Sequence, residues 1–246
     1  MSKQRLQKVL AAAGVDSRRN CEQIILEGSV RVNRKVVDIL PAFVDPDEDV
    51  ITVNGRRIKA AEKLYFLLNK PKGVICSNRD PQGRRKAIDL IPTDARIFCV
   101  GRLDIDTTGL IILTNDSELA NKLTHPRYEL PKTYTVCVKG RIEPEAVEKL
   151  KKGIWLSEGK TSRAGVKIAK RNFRESLVEI TIEQGLNRQI RRMFAKVGFP
   201  VKSLKRTRIG KLNCRGLGVG RYRRLSQAEI AHLAKARKTR PAKRDK

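Results

Sequence analysis

The sequence predicts an α+β protein with a small ααβ unit at its N-terminus and a larger part built on a mostly antiparallel mixed sheet. Two helix patterns followed by two strand patterns fill the first part of the chain. Beyond them, strand and helix patterns mix without the strict βαβ alternation of a doubly wound sheet. A chain of 246 residues with 40% hydrophobic side chains is long enough to bury a core in each part.

The small unit is predicted over residues 1–60. Apolar residues recur at helical spacing in RLQKVLAAAG, and Ser17 is placed to cap a second helix that ends at Gly28. Strand-like alternation follows in SVRVNRKVV and in VITVNGRRI. The Asn54-Gly55 pair predicts a two-residue hairpin.

The larger part is predicted over residues 64–232. Its strand patterns lie at 64–69, 73–77, 97–100, 109–114, 133–139, 162–169, 177–183 and 201–206. Its helix patterns lie at 117–124, 144–152, 188–197 and 227–237. Ser226 and Glu229 form an S-x-x-E capping box at the start of the last helix. Residues 233–246 are strongly basic and are expected to form a flexible tail.

The charge of the chain indicates a polyanionic partner. There are 54 Lys and Arg residues against 26 Asp and Glu, which gives a formal net charge of +28. Because so cationic a surface repels itself, nucleic acid is the favoured partner and an anionic membrane surface is the alternative. No window reaches the roughly 18 apolar residues of a membrane span. We therefore expect a monomeric, cytoplasmic RNA-binding protein with no membrane partner.

The cysteines and histidines predict neither disulfides nor a metal site. The five cysteines are scattered, and no two of them form a C-x-x-C pair. That pattern is typical of reduced thiols in a cytosolic protein. Two histidines are too few for His-based metal binding or a His dyad.

The stretch GRLDIDTTGLIILTND places carboxylates around an apolar run in this cationic chain. Asp104 falls where the chain turns between sheet elements, with Gly101 and Gly109 permitting tight backbone there. One hypothesis makes Asp104 catalytic, and a second makes these polar residues ordinary turn formers. A third makes Asp104 and Asp106 metal ligands, although no Glu or His cluster completes the ligand shell.

Other segments carry cations and one aromatic side chain. In NRQIRRMFAKVG, helical spacing places Arg188, Arg191 and Arg192 on one side, where they can bind phosphates or hold a carboxylate. In KTYTVCVKG, Tyr134 lies on a strand and can stack on a single base. Arginines at the start of the second N-terminal helix suit phosphate contacts, and plain solvated helix faces are the alternative.

These segments together resemble a known family, the bacterial ribosomal pseudouridine synthases that act on small- or large-subunit rRNA. The similarity lies, in order, in NKPKGVICS, GRLDIDTTGL, KTY and GLNRQIRRMFAKVGFPVKSLKRTRIGKL. The N-terminal RLQKVLAAAGVDSRRNCEQIILEGSVRVN resembles the RNA-binding module named after ribosomal protein S-four. Two segments look most like the large-subunit enzymes of the B type: HPRYELPKTYTVCVKG and GLNRQIRRMF. One departure is Ser117, which stands where the family often has Gly after Asn-Asp.

The resemblance implies a catalytic domain of pseudouridine synthase type and a reaction that needs no cofactor or metal. Such an enzyme breaks the N-glycosidic bond of a uridine, turns the base, and rejoins it to ribose through carbon-5. Asp104 matches the catalytic carboxylate, which either attacks the substrate covalently or removes a ribose proton. Arg191 matches the arginine that pairs with this aspartate. Tyr134 matches the tyrosine that stacks on the flipped uracil, and Arg102 matches a residue that fills the gap left in the RNA.

The sequence and the resemblance together imply contacts and partners. The expected RNA contacts are Arg5, Arg18, Arg19, Lys70, Arg102, Arg188 and Arg192, and the expected base contacts are Ile182 and Ile190. The expected substrate is 23S rRNA, free or in a ribosome assembly intermediate. A 16S rRNA enzyme of the same family, a noncatalytic assembly factor that binds rRNA, and a metal-dependent nuclease are the alternatives.

Overall fold

The computed structural model describes residues 3–125, 128 and 130–235 and contains two units. The first comprises the chain up to Leu64 together with Thr93–Ile97 and Asn115–Ser117. The second comprises Tyr65–Pro92, Phe98–Thr114 and the chain from Glu118 onwards. Most of the predicted basic tail, from residue 236, lies outside the described residues.

The first unit has two helices packed on small antiparallel sheets. Its elements are β1 (Gln4–Arg5), α1 (Leu6–Ala12), α2 (Arg18–Leu26), β2 (Val30–Val32), β3 (Lys35–Val37), β4 (Phe43–Val44), β5 (Ile51–Val53) and β6 (Arg56–Arg57). One sheet has the order β3-β2-β5-β6, and β1 pairs with β4. The core contains Leu6 and Leu10 from α1, Ile25 from α2 and Val30 from β2, all with no exposed surface.

Local sequence signals explain where these elements begin and turn. The Ser17 hydroxyl accepts a hydrogen bond of 3.1 Å from the Asn20 N–H, as expected for a cap of α2. Asn54 and Gly55 have φ values of +48° and +76°, which is the backbone that a tight hairpin between β5 and β6 requires. The predicted helix cap and hairpin are therefore confirmed.

Among its described residues the second unit has eleven strands, nine of which form one sheet. Its strands are β7 (Tyr65–Lys70), β8 (Phe98–Cys99), β9 (Thr107–Thr114), β10 (Lys132–Lys139), β11 (Trp155–Leu156), β12 (Gly159–Lys160), β13 (Gly165–Arg171), β14 (Glu175–Ile182), β15 (Val201–Ile209), β16 (Leu212–Asn213) and β17 (Tyr222–Arg224). The sheet order is β13-β14-β10-β15-β9-β7-β17, with β8 on β9 and β16 on β15, while β11 and β12 form a separate hairpin. Among the described residues its ladders are antiparallel apart from the parallel pair β9 and β15, so the predicted mostly antiparallel mixed sheet is confirmed.

Helices cover this sheet near the predicted positions. They are a short 3-10 helix (Ala87–Leu90), α3 (Ser117–Thr124), α4 (Pro144–Lys152), α5 (Gln189–Lys196) and α6 (Gln227–Ala234). Ser226 and Glu229 make the predicted capping box at α6. In α5, Ile190, Met193 and Phe194 are buried, and this apolar stripe fixes which face of the helix meets the sheet.

The parallel pair at the centre of the sheet depends on a glycine. Gly109 on β9 lies opposite Arg206 on β15 and has a φ of +102°. A Cβ atom at Gly109 would lie 2.2 Å from the carbonyl oxygen of Arg206 and 2.6 Å from its nitrogen. The backbones can approach this closely only because residue 109 has no side chain. This contact joins β15 to β9, the strand that follows the GRLD loop (residues 101–104), and both the loop and β15 contribute to the site described below.

The prediction of a strand at residues 73–77 is wrong. Ile75 makes only a single bridge, to Lys86, and the segment is otherwise irregular. The carbonyl oxygens of Pro71 and Val74 both accept hydrogen bonds from the Lys70 ammonium, at 3.0 and 2.6 Å. Because these carbonyls converge on one cation, the chain curls around Lys70 instead of extending along the sheet.

Candidate active site

A cavity of about 440 Å³ opens in the second unit where the GRLD loop, β10, the end of β14, the start of α5 and β15 meet. Predicted site residues that line it are Arg102, Asp104, Tyr134, Ile182, Arg188 and Ile190. They come from four separate segments of the chain, which the sheet brings together: the GRLD loop, β10, the end of β14 and the start of α5. This volume is within the roughly 300–1,000 Å³ typical of ligand pockets.

Asp104 lies at the start of a tight turn that leads into β9. Its carbonyl oxygen accepts a hydrogen bond of 3.0 Å from the Thr107 N–H, which closes the turn. Its side chain is 31% exposed, and its Oδ2 lies 3.5 Å from Nη1 of Arg188. Arg188 precedes α5 with a φ of +47°, an uncommon conformation for a residue with a side chain. The carboxylate therefore faces the cavity with a cation beside it.

The expected pairing of Arg191 with Asp104 is not formed, and Arg188 makes the contact instead. Nη1 of Arg191 donates a hydrogen bond of 3.4 Å to the carbonyl oxygen of Val201, and Arg191 is not among the cavity residues. The apolar stripe of α5 explains the difference, because burying Ile190 against the sheet turns the next side chain toward the start of β15.

The inner wall of the cavity holds a tyrosine and a buried arginine. Tyr134 on β10 is 7% exposed, and Arg206 on β15 is 3% exposed. Nη1 of Arg206 lies 3.5 Å from the Tyr134 hydroxyl oxygen, and Nε of Arg206 donates a 2.6 Å hydrogen bond to the carbonyl oxygen of Leu110. Ile182 and Ile190 are also buried and complete an apolar part of the wall.

Sequence reasoning missed Arg206, although a signal was present. Arg206 follows Leu204 by two residues, and on a strand these side chains face the same side of the sheet. Leu204 is a core residue, so the alternation predicts that residue 206 also points inward. A cation at an inward position is rare enough to indicate a function.

A second cation of the wall is Lys132, at the start of β10 and in the KTY segment. Burial, and then the nearby charge of Arg206, lowers the pKa of Lys132 to about 8, which Glu183 only partly opposes. Nζ of Lys132 donates a hydrogen bond of 3.0 Å to the carbonyl oxygen of Leu130. The cavity thus has a positive electrostatic bias on the side of β10 and β15.

Lys70 was expected to contact RNA, and that expectation is wrong. Its side chain is fully buried, and its ammonium donates to backbone carbonyl oxygens, including that of Val74. Burial lowers the pKa of Lys70. A lysine in this position organises the loop after β7 and does not reach a phosphate.

A pair of thiols lies behind the GRLD loop. Sγ of Cys76 accepts a hydrogen bond of 3.4 Å from the N–H of Leu103, the residue before Asp104. A hydrogen bond from the Cys99 thiol, together with this N–H, lowers the pKa of Cys76 to about 6, while the same contact and burial raise that of Cys99. The Cys76 sulfur therefore helps to hold the backbone that presents Asp104.

Comparisons with known proteins place this arrangement in a family. The model of the RNA pseudouridylate synthase family matches residues 64–196, and the S4 domain model matches residues 4–50. The ribosomal large subunit pseudouridine synthase B of Bacillus subtilis is 47% identical over 233 residues, which cover 94% of this chain and 95% of the relative. The chain belongs to the RNA pseudouridine synthase family.

Two further comparisons agree. The ribosomal large subunit pseudouridine synthase B of Pseudomonas aeruginosa is 41% identical over 241 residues, covering 94% of this synthase and 62% of the relative. A crystal structure of a pseudouridylate synthase superposes with a TM-score of 0.69 at 31% identity and covers 93% of this chain and 99% of that one. The predicted family, enzyme class and order of an S4 domain before a synthase domain are therefore confirmed.

The other predicted RNA contacts of the synthase differ in availability. Arg5, Arg18 and Arg19 are exposed in the first unit, and Arg102 is exposed where it lines the cavity. Their roles stay predictions. Arg192 is already paired, because its guanidinium donates to the Glu158 carboxylate at 2.8 and 2.5 Å. It would have to exchange that partner to bind a phosphate.

Two features are absent from the described part of the synthase. No group of three or more His, Cys, Asp or Glu side chains there is arranged to hold a metal ion. No helix there is long and apolar enough to cross a membrane.

Proposed function

We propose that this synthase converts uridine to pseudouridine in ribosomal RNA, that 23S rRNA is its substrate, and that Asp104 is its catalytic carboxylate. The observation that carries the proposal is that Asp104, in the turn before β9, and Tyr134, on β10, line one cavity of nucleotide size. The names of the Bacillus subtilis and Pseudomonas aeruginosa relatives support the large-subunit substrate. On this proposal the protein acts as a cytoplasmic monomer on free rRNA or an assembly intermediate.

The residues of the cavity can carry the steps of this reaction. A flipped uridine enters the cavity, with its base against Tyr134 and the apolar side chains of Ile182 and Ile190. Asp104 faces the ribose and either bonds to carbon-1′ or takes the carbon-2′ proton as the glycosidic bond breaks. Arg102, exposed at the same cavity, fills the space that the base has left in the RNA. The isomerisation uses only atoms of the substrate, so no cofactor is assigned.

The test is a mapping experiment with a matched control. Unmodified 23S and 16S rRNA transcripts are incubated with the protein and a chelator, and pseudouridine is mapped by base-selective derivatisation and primer extension. Asp104→Asn should abolish the new signal. Asp106→Asn should retain it, because Asp106 is an exposed neighbour that does not line the cavity.

Each alternative has its own outcome in this experiment. A signal in 16S rRNA alone would identify a small-subunit enzyme. Binding of rRNA without a pseudouridine signal would support a noncatalytic assembly factor. Shortened RNA that appears only when Mg²⁺ replaces the chelator would support a nuclease. An Asp104→Asn variant with native activity would remove Asp104 from the mechanism.

A further inference from the structure

Arg206 is a buried cation whose charge is not balanced by a carboxylate. Nε and Nη1 donate to the Leu110 carbonyl oxygen and the Tyr134 hydroxyl oxygen, which are both neutral acceptors. Nη2 is buried and has no hydrogen-bond partner among residues 3–125, 128 and 130–235. Within those same ranges Arg206 forms no ion pair with an Asp or Glu side chain.

An unbalanced charge in this position is expensive. Removing a cation from water is strongly unfavourable unless an anion or enough acceptors replace the lost hydration. Arginine does not escape this cost by losing its proton, because its pKa is too high in any environment that proteins offer. The neighbouring Lys132, by contrast, has its pKa lowered to about 8 by burial and then by the charge of Arg206. The Cys76 sulfur, whose pKa Arg206 also helps to lower, is a nearby anion but does not hydrogen-bond to the guanidinium. A ligand in the cavity can therefore supply the acceptor that Nη2 lacks.

The position of the guanidinium relative to Tyr134 indicates what enters. Its central carbon lies 6.0 Å from the centre of the tyrosine ring, while Nη1 lies 3.5 Å from the hydroxyl oxygen. The guanidinium is thus displaced toward the hydroxyl end of the ring. A base that enters the cavity beside Tyr134 can therefore come within reach of the unpaired Nη2, since both residues line the cavity.

We propose that Arg206 is a catalytic residue that binds the uracil base and stabilises the negative charge it carries once its bond to ribose is broken. The inference rests on the function proposed above and deepens it. When the bond between N1 and carbon-1′ breaks, both of its electrons leave with uracil. The resulting monoanion is delocalised over N1 and the two carbonyl oxygens, which are acceptors for a donor-only guanidinium.

The ribose side of this step is balanced by Asp104. Either its carboxylate bonds to carbon-1′, or it removes the carbon-2′ proton, and both routes neutralise the electron deficiency at carbon-1′. The uracil anion then turns and its carbon-5 bonds to carbon-1′. In the covalent route the bond between Asp104 and carbon-1′ breaks as this bond forms, and in the other route Asp104 returns its proton to carbon-2′. The carbon-5 proton then leaves and N1 gains a proton, so that Asp104 is restored as a carboxylate. Arg206 is needed most while the charge is on the detached base. A buried donor aimed at a developing charge accelerates such a step because it requires no reorganisation.

The first experiment separates this role from a purely structural one. Arg206→Met removes the charge at similar size, Arg206→Lys retains it, and Arg208→Met is a control that removes an exposed cation from the same strand outside the cavity. Single-turnover rates are measured at saturating rRNA. We expect Arg206→Met to lose about 10²–10³-fold in rate, as for a removed oxyanion donor. RNA affinity should fall far less than the rate, because the charged base exists only after the RNA has bound. Arg206→Lys should recover at least part of the rate, and Arg208→Met should turn over as the native protein does.

The second experiment tests the charge on the base directly. In rRNA containing 5-fluorouridine, the electron-withdrawing fluorine stabilises the uracil anion, so bond cleavage should depend less on Arg206. The loss of the original nucleoside is followed by mass spectrometry after nuclease digestion. The ratio of the native rate to that of Arg206→Met, or of Arg206→Lys if the former does not fold, should be smaller with 5-fluorouridine than with uridine.

The outcomes distinguish this inference from the function on which it rests. If the native protein forms pseudouridine but the two substrates give equal ratios, or Arg206→Met keeps the native rate, Arg206 does not stabilise the anion and the proposed function stands. If the native protein forms no pseudouridine in either rRNA, the proposed function fails, and this role for Arg206 fails with it.

Discussion

Replacing Gly109 by alanine tests the packing that places Arg206. A Cβ atom at residue 109 would meet the carbonyl oxygen, nitrogen and carbonyl carbon of Arg206 at 2.2, 2.6 and 2.8 Å. All three atoms belong to the backbone of β15, so no side chain can rotate away. The contact is relieved only if β9 and β15 separate, which disturbs the centre of the sheet.

The expected loss of stability follows from two contributions. The φ of +102° adds about 1–2 kcal/mol of left-handed strain for any L residue. Overpacking against a fixed backbone adds about 1–3 kcal/mol. Gly109→Ala should therefore lower the free energy of unfolding by about 2–5 kcal/mol, a large share of the roughly 5–15 kcal/mol that a typical protein has.

Gly140→Ala is the matched control. Gly140 lies in the same unit with a φ of +82°, and a Cβ atom there would have nothing within 4 Å. Gly140→Ala should lower the free energy of unfolding only by the contribution of left-handed strain, about 1–2 kcal/mol. Urea denaturation followed by circular dichroism measures both variants, and hydrogen exchange with mass spectrometry locates the change, which should appear in β9 and β15 for Gly109→Ala. Equal losses in the two variants, without faster exchange in these strands, would refute the reasoning.

Three further predictions concern ionisable groups. Iodoacetamide at about pH 7 should modify Cys76 well before Cys99, because the pKa of Cys76 is lowered to about 6 and that of Cys99 is raised. Timed peptide mass spectrometry measures the order of modification, and the reverse order would contradict this prediction. Glu229→Gln should cost about 1 kcal/mol near neutral pH through loss of the Arg223 ion pair. Arg223 lowers the pKa of Glu229 from 4.5 to about 2. The difference in thermal stability between Glu229→Gln and the native protein should therefore be fully present above pH 4.5 and should disappear as the pH falls toward about 2. In filter binding, the affinity of the native protein for RNA should fall as the pH rises through about 8, because Lys132 loses its charge there. The affinity of Lys132→Met for RNA should not show this fall.

The sequence was sufficient to predict elements whose signals are local. Ser17, the Asn54-Gly55 hairpin and the capping box of α6 each act within a few residues, and each is found where expected. The GRLD segment was predictable in the same way, because two glycines and a short polar turn place Asp104 at the start of a strand.

The side-chain partners were not predictable because they depend on rotation and burial. Successive residues of a helix point about 100° apart, so choosing Arg188 or Arg191 as the partner of Asp104 requires knowing which face of α5 meets the sheet. Arg188 also adopts a positive φ that its residue type does not signal. Lys70 and Arg206 are buried against the general preference of cations for the surface, and their acceptors belong to distant segments.

The central place of β15 determines when the site can form. In the sheet, β15 lies between β10 and β9, although in the chain it follows α5. A chain growing from its N-terminus has β7 paired with β9 and β10 paired with β14 as separate halves, one carrying Asp104 and the other Tyr134. Only Val201–Ile209 joins them, and it brings Arg206 with it. During synthesis the first unit can therefore fold and meet RNA well before the chain has a cavity in which to modify it.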